Sequence, residues 1–85
     1  MKRPIFVRQQ ENHDVSPPTY WYTVDRGNGQ PTLVSETYVD RSGAIRAARA
    51  TIALFDPRIT VQFSYWRGRV GEMRYRLEHI NGGQS

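Results

Sequence analysis

Two stretches near the C-terminus alternate apolar and polar positions with a period of two. Ile59, Val61, Phe63 and Tyr65 alternate with Thr60, Gln62, Ser64 and Trp66; Met73, Tyr75 and Leu77, with His79 at the end of the track, alternate with Arg74, Arg76 and Glu78. Successive side chains of a strand point to opposite faces, so both stretches are predicted to be half-buried strands. Residues directly opposite in an antiparallel pair share a face, and the two apolar tracks therefore align only if odd-numbered residues pair with odd-numbered ones. A loop over residues 68–70 or 68–72 satisfies that parity, whereas a loop over 68–71 does not. The expected register gathers Gln62, Ser64, Trp66, Arg74, Arg76 and Glu78 on the second face, flanked by Arg67 and Arg69.

Earlier in the chain, residues 19–25 are dense in aromatic and β-branched side chains, and residues 31–39 are again extended in character. Between them stands Gly27-Asn28-Gly29, and an Asn-Gly pair between two such runs predicts a hairpin, because both central residues of a type I′ turn take positive φ. With Asn28-Gly29 as the turn, Val24 faces Leu33 and Tyr22 faces Ser35, while Trp21, Thr23, Val34 and Glu36 share the other side. The two tracks are comparably apolar, and the pattern does not choose which is buried. Residues 9–18 hold nine polar or proline residues around one valine and are expected to be a loop, with residues 4–8 a candidate strand before it. From Ala44 onward the period changes: Ile45, Ala48, Ile52 and Phe55 recur at helical spacing, with Asp40 or Ser42 placed to cap and Arg46, Arg49 and Ala53 on the opposite side. Pro57 disfavours helix in the residue before it, so the helix is expected to stop at or near Asp56.

Composition narrows the picture. Eighty-five residues with 38% hydrophobic content make one small domain with a sparse core. Its expected parts are an arm over 1–18, a hairpin plus helix over 19–56, and a second hairpin with a short tail over 57–85. Domains this small often rely on a disulfide, a metal, extra pairing or a second copy of themselves. The absence of cysteine removes disulfides and thiolate ligands together, and His13 and His79, the only histidines, fall short of a structural zinc set. No metal and no cofactor are predicted. The apolar run Ile5-Phe6-Val7 is too short for a signal peptide or a membrane span, so a cytoplasmic protein with no membrane partner is expected. A net charge of +4 with eleven arginines among the twelve basic residues favours planar, bidentate or stacking contacts with anions.

The run Trp21-Tyr22-Thr23-Val24-Asp25-Arg26-Gly27-Asn28-Gly29-Gln30-Pro31-Thr32-Leu33-Val34-Ser35-Glu36-Thr37-Tyr38, followed by a helix carrying Ala44, Ala47 and Ala48, resembles the repeat unit of the small YegP-like bacterial domains of unknown function. In that family an Asn-Gly hairpin leads into a Ser-Glu-x-Tyr strand and a short helix, and the unit commonly occurs twice. Residues 71–82 look like the start of a second unit that stops before its helix. The resemblance covers about residues 20–55 and 71–82 and brings no activity with it. It implies an antiparallel sheet packed by helix, with incomplete cover that an N-terminal strand or a second subunit would supply.

Nucleophilic catalysis needs serine, histidine and a carboxylate that converge, and Ser64, His79 and Glu78 are the local candidates. The expected parity opposes them, placing Ser64 on the polar track, His79 on the apolar one, and Glu78 pointing away from His79. Asp25, Glu36, Asp40 and Asp56 have ordinary duties as turn, surface or cap residues, and the glycines do not form a phosphate cradle. No catalytic residue is predicted. Trp66 with Arg67, Arg69, Arg74 and Arg76 combines stacking and cationic groups as single-strand nucleic-acid binders require, although the same arginines also keep a strand face soluble. Tyr20, Trp21 and Tyr22 offer large aromatics to both faces of one strand, and Tyr, Trp and Arg dominate interface hot spots. The expectation is an α+β fold, an antiparallel sheet of four or five strands with one helix packed on one face. Its expected role is non-enzymatic binding, with a homodimer or protein partner ahead of nucleic acid.

Overall fold

The computed structural model describes residues 3–26 and 31–84. Its elements run β1 (Ile5–Asn12), β2 (Thr19–Asp25), β3 (Pro31–Val34), α1 (Arg41–Ala53), β4 (Thr60–Arg67) and β5 (Arg74–Asn81). The strands form one sheet in the order β3-β2-β1-β4-β5. The fold is α+β, but the sheet is mixed where an antiparallel one was expected, because β1 runs parallel to β4 while every other pair is antiparallel. Periodicity sets the two faces of a strand and carries no information about the direction of its neighbour. Here the crossover through α1 delivers β4 beside β1 in the same sense.

The largest departure from expectation is β1, which extends through Asn12 and occupies the centre of the sheet; residues 9–12 are strand, not loop. Its inward track reads Ile5, Val7, Gln9, Glu11, and the two polar members hide the alternation. Gln9 is fully buried, which requires its amide to be satisfied. Its Nε2 donates to Gln10 O at 3.0 Å and Glu11 Oε1 at 2.9 Å, and its Oε1 accepts the Trp66 backbone N–H at 2.9 Å. A side-chain amide thus bridges β1 to β4 where another protein would place a valine.

Asp40 caps α1, its Oδ1 accepting the Gly43 N–H at 2.6 Å and so satisfying one of the free amides of the first turn. The helix ends at Ala53, a little before the expected stop near Asp56. Ala44, Ala48 and Ile52 are buried, with Ile45 and Phe55 packed beside the core. Against them lie Val7, Tyr22, Val24, Val61 and Phe63. Tyr22 Oη meets Thr51 Oγ1 at 2.6 Å, which fixes the track of β2 that faces the helix. Each of the larger core side chains, Phe63 and Ile52 above all, contributes about 1.5–3 kcal/mol by burial.

The first hairpin pairs Val24 with Leu33 and Thr23 with Val34, as expected, and the Ser35 N–H donates to Tyr22 O at 2.9 Å. Between Val24 and Asp25 the register shifts, setting Asp25 opposite Pro31; the expected Asn28-Gly29 turn lies outside the described residues. The second hairpin departs from the expected parity. Val61 pairs with Ile80, Phe63 with Glu78, Tyr65 with Arg76, Trp66 with Tyr75, and Arg67 with Arg74, so odd residues face even ones. Residues 68–73 form the connection, in which Gly68 and Gly71 take φ of +92° and +93°, values open to glycine. Ile80 joins the core beside Val61, and that contact decides the register. Tyr75 and Leu77, expected inside, lie outside.

The chain end returns to the helix. The Gly82 N–H donates to Ile59 O at 2.8 Å and the Gly83 N–H to Ile52 O at 3.0 Å. One helix therefore anchors both hairpins.

Candidate interaction surface

The corrected register separates the residues expected to form one Arg/Trp face. Trp66 points to the uncovered side of the sheet, where its ring lies 4.3 Å from that of Tyr75 at an interplanar angle of 40°. Arg74 and Arg76 point to the other side, opposite Arg67 and Tyr65. Arg49, expected on the solvent side of α1, turns toward the sheet. Its guanidinium lies 5.1 Å from the Phe63 ring centroid and 5.6 Å from that of Tyr65, and it donates to Glu78 Oε2 at 2.7 Å. The Arg49 bond and a bond from Tyr65 hold the Glu78 carboxyl below its ordinary pKa against burial, which opposes them.

Arg67, Arg74 and Arg76 nevertheless line one groove at the tip of the β4–β5 hairpin, and Arg69 lies in its connecting loop. All four are exposed, and among the described residues none is in an ion pair. Arg67 stands directly opposite Arg74, an arrangement of like charges that disfavours the pairing. The open groove runs along this end of β5, lined by Arg67, Gly68, Glu72, Arg74, Tyr75 and Arg76 among others.

On the uncovered face, Phe6 and Arg8 of β1, Trp21 and Thr23 of β2, and Gln62, Ser64 and Trp66 of β4 stand in adjacent rows with Tyr75 and Leu77 of β5. Arg8 is ion-paired to Asp25 at its centre. Trp21 and Trp66 are half-buried; Tyr75 and Leu77 are 52% and 54% exposed. The expected aromatic trio divides between the faces. Tyr22 is core, Tyr20 lies on the helix side with its backbone bridged to Tyr38, and Trp21 alone looks outward.

The same register brings Ser64 and His79 to one face, removing the parity objection to that pair, but it assembles no triad. Ser64 Oγ is directed at Tyr75 Oη, 3.4 Å away, and Glu78 sits on the opposite face with Arg49. Among the described residues no hydrogen bond joins Ser64 to His79. Nor, among those residues, is any group of three or more His, Cys, Asp or Glu side chains placed to hold a metal ion. No described helix is long and apolar enough to cross a membrane.

A cluster that the sequence did not announce lies where β1 ends. Glu11, with a side chain 1% exposed, accepts from Arg41 Nε at 2.7 Å and Arg41 Nη2 at 2.8 Å, and its Oε2 lies 2.5 Å from His13 Nε2. Arg41 Nη1 donates onward to Gly68 O at 2.6 Å, and the His13 ring meets Tyr20 edge-on at 5.7 Å. The cluster thereby joins β1, the start of α1 and the β4–β5 connection. Burial alone would raise the Glu11 pKa, but the bonds from Arg41, His13 and Gln9 outweigh it and bring it down to about 2 from an ordinary 4.5. A folded-state pKa below the unfolded one means that the stabilisation is fully present above pH 4.5 and is lost as the pH falls toward 2. The signal for this cluster was the recurrence of Gln9 and Glu11 at the inward positions of a strand begun by Ile5 and Val7.

No family model matches the chain, and comparison with curated proteins and with solved structures finds no match.

Proposed function

We propose that the chain is a non-enzymatic binding module that self-associates through the flank formed by β5 and the uncovered sheet face beside it. The exposure of β5 carries this reading. It is an eight-residue strand that, among the described residues, pairs with β4 alone, with Tyr75 and Leu77 more than half exposed beside Trp66. An edge strand of that length presents unpaired N–H and C=O groups, which soluble proteins otherwise shorten, bulge or cover. The likeness of residues 20–55 and 71–82 to the YegP-like repeat supports the same proposal, since a second unit that stops before its helix leaves incomplete cover that a second subunit would supply.

A second reading, single-stranded nucleic-acid binding at the hairpin tip, is favoured by Arg67 facing Arg74 with Arg69 and Arg76 nearby and the Trp66–Tyr75 pair on the reverse side. Phosphates would relieve that repulsion, and bases stack on aromatic rings. Size-exclusion chromatography with light scattering, at low and moderate salt and with and without oligonucleotides, separates the two. Self-association predicts a dimer that tolerates salt and ignores DNA and RNA. A monomer that binds oligonucleotides with strong salt dependence would replace the first reading by the second, because phosphate contacts weaken with salt.

A further inference from the structure

We infer that two copies join edge to edge, β5 antiparallel to the partner's β5 about a twofold axis at Leu77, so that Arg76 of each copy faces Glu78 of the other. This mode rests on the self-association proposed above and specifies its geometry.

The direction of the free hydrogen-bonding groups follows from the end of the hairpin. Gly82 donates its N–H to Ile59 O, and the register places Ile80 opposite Val61 and Glu78 opposite Phe63. Hydrogen-bonded and non-hydrogen-bonded pairs alternate along an antiparallel ladder. The backbone groups of Arg74, Arg76, Glu78 and Ile80 therefore point at β4, and those of Tyr75, Leu77, His79 and Asn81 point at the open edge. Only registers that match odd residues with odd ones can join two such edges.

Charge selects among those registers. With the axis at Arg76, two guanidinium groups oppose each other. With the axis between Leu77 and His79, centred on Glu78, two carboxylates do. An axis at Leu77 instead sets Arg76 against the partner's Glu78 twice, Leu77 against the partner's Leu77, and Tyr75 against the partner's His79. The Arg76–Glu78 positions fall at non-hydrogen-bonded pairs, where opposed side chains approach most closely and opposite charges stabilise the ladder. Glu78 is poised for this contact, since its side chain is 27% exposed while already fixed by Arg49. On the other face, Leu77 and Tyr75 continue the apolar track that Trp66 begins, and pairing covers their exposed sides.

Three variants, Arg76→Glu, Glu78→Arg and Leu77→Pro, test this by sedimentation equilibrium, with circular dichroism to monitor the fold. Each charge reversal alone sets like charges opposite at two places and is expected to weaken the dimer about tenfold or more, from the scale of cross-strand charge pairs. An equimolar mixture of the two reversals restores both attractions and is expected to form a mixed dimer close to wild-type affinity. Leu77→Pro removes an N–H that faces the open edge and serves no bond to β4, a position where a strand tolerates proline; it is expected to leave a folded monomer. A dimeric wild type whose Leu77→Pro variant is folded and still dimeric, or whose two charge variants gain nothing on mixing, overturns the β5 pairing and leaves self-association standing. A wild type that is monomeric throughout overturns both.

Discussion

Replacing Arg41 with alanine is expected to lower the free energy of unfolding by about 3 kcal/mol, the lower end of what removing one partner of a buried ion pair costs. The Glu11 carboxylate is almost wholly enclosed, and Arg41 supplies two of its bonds. Without the guanidinium the carboxylate keeps only His13 and Gln9, and the bond from Arg41 to Gly68 O is lost as well. For a domain of this size, whose total stability is expected near the lower end of about 5–15 kcal/mol, that is a large share. Urea titrations near pH 7 measure it. The acid limb supplies an independent signature. Wild type should lose about 2 kcal/mol of Glu11-linked stability between pH 4.5 and 2, a value set below the full linkage figure because Arg41 and His13 remain partly solvated. Arg41→Ala should flatten that part of the slope. Equal urea midpoints for the two proteins at pH 7 would show that the cluster does not stabilise the fold.

Gly82→Ala is expected to destabilise by about 3 kcal/mol, at the upper end of overpacking effects. Gly82 is buried between the end of β5 and the turn that follows α1. A Cβ there would overlap the Asp56 backbone carbonyl oxygen and sit 2.9 Å from Phe55 Cβ. Backbone cannot give way as a flexible side chain can, so either the turn moves and the bond from Gly82 to Ile59 O breaks, or Ile80 is drawn from the core. Gly71→Ala provides the contrast. It has open space around its Cβ position and suffers only from its positive φ, worth about 1–2 kcal/mol. Thermal or urea unfolding of both variants checks the order, and a Gly82→Ala protein as stable as Gly71→Ala would contradict this packing.

What could be read from the chain followed where a single physical cause acted. Helical spacing over Ile45 to Phe55 and the cap at Asp40 announced α1, and Asn28-Gly29 announced a first hairpin whose register at Val24 and Leu33 matches the structure. The central strand was hidden because Gln9 and Glu11 occupy inward positions that alternation reserves for apolar residues. Their burial is made favourable by partners distant in sequence, Trp66 and Arg41, which local pattern does not reveal. The β4–β5 register was misjudged for a related reason. Tyr75 and Leu77 looked like core, yet Ile80, one residue beyond the alternating run, supplies the contact that fixes the face. The Arg/Trp surface inherited that error, since a shift of one residue sends each side chain to the opposite side of the sheet.

Amide hydrogen exchange along β5 tests self-association through this edge most directly. The amides of Arg76 and Glu78 point at β4 and should be protected at every concentration. Those of Tyr75, Leu77 and His79 point outward and should exchange freely in dilute protein, slowing by about tenfold or more when the protein is concentrated, as partner strands close over them. Outward amides that exchange at the rate of unstructured peptide at all concentrations, with Arg76 and Glu78 still protected, would contradict it.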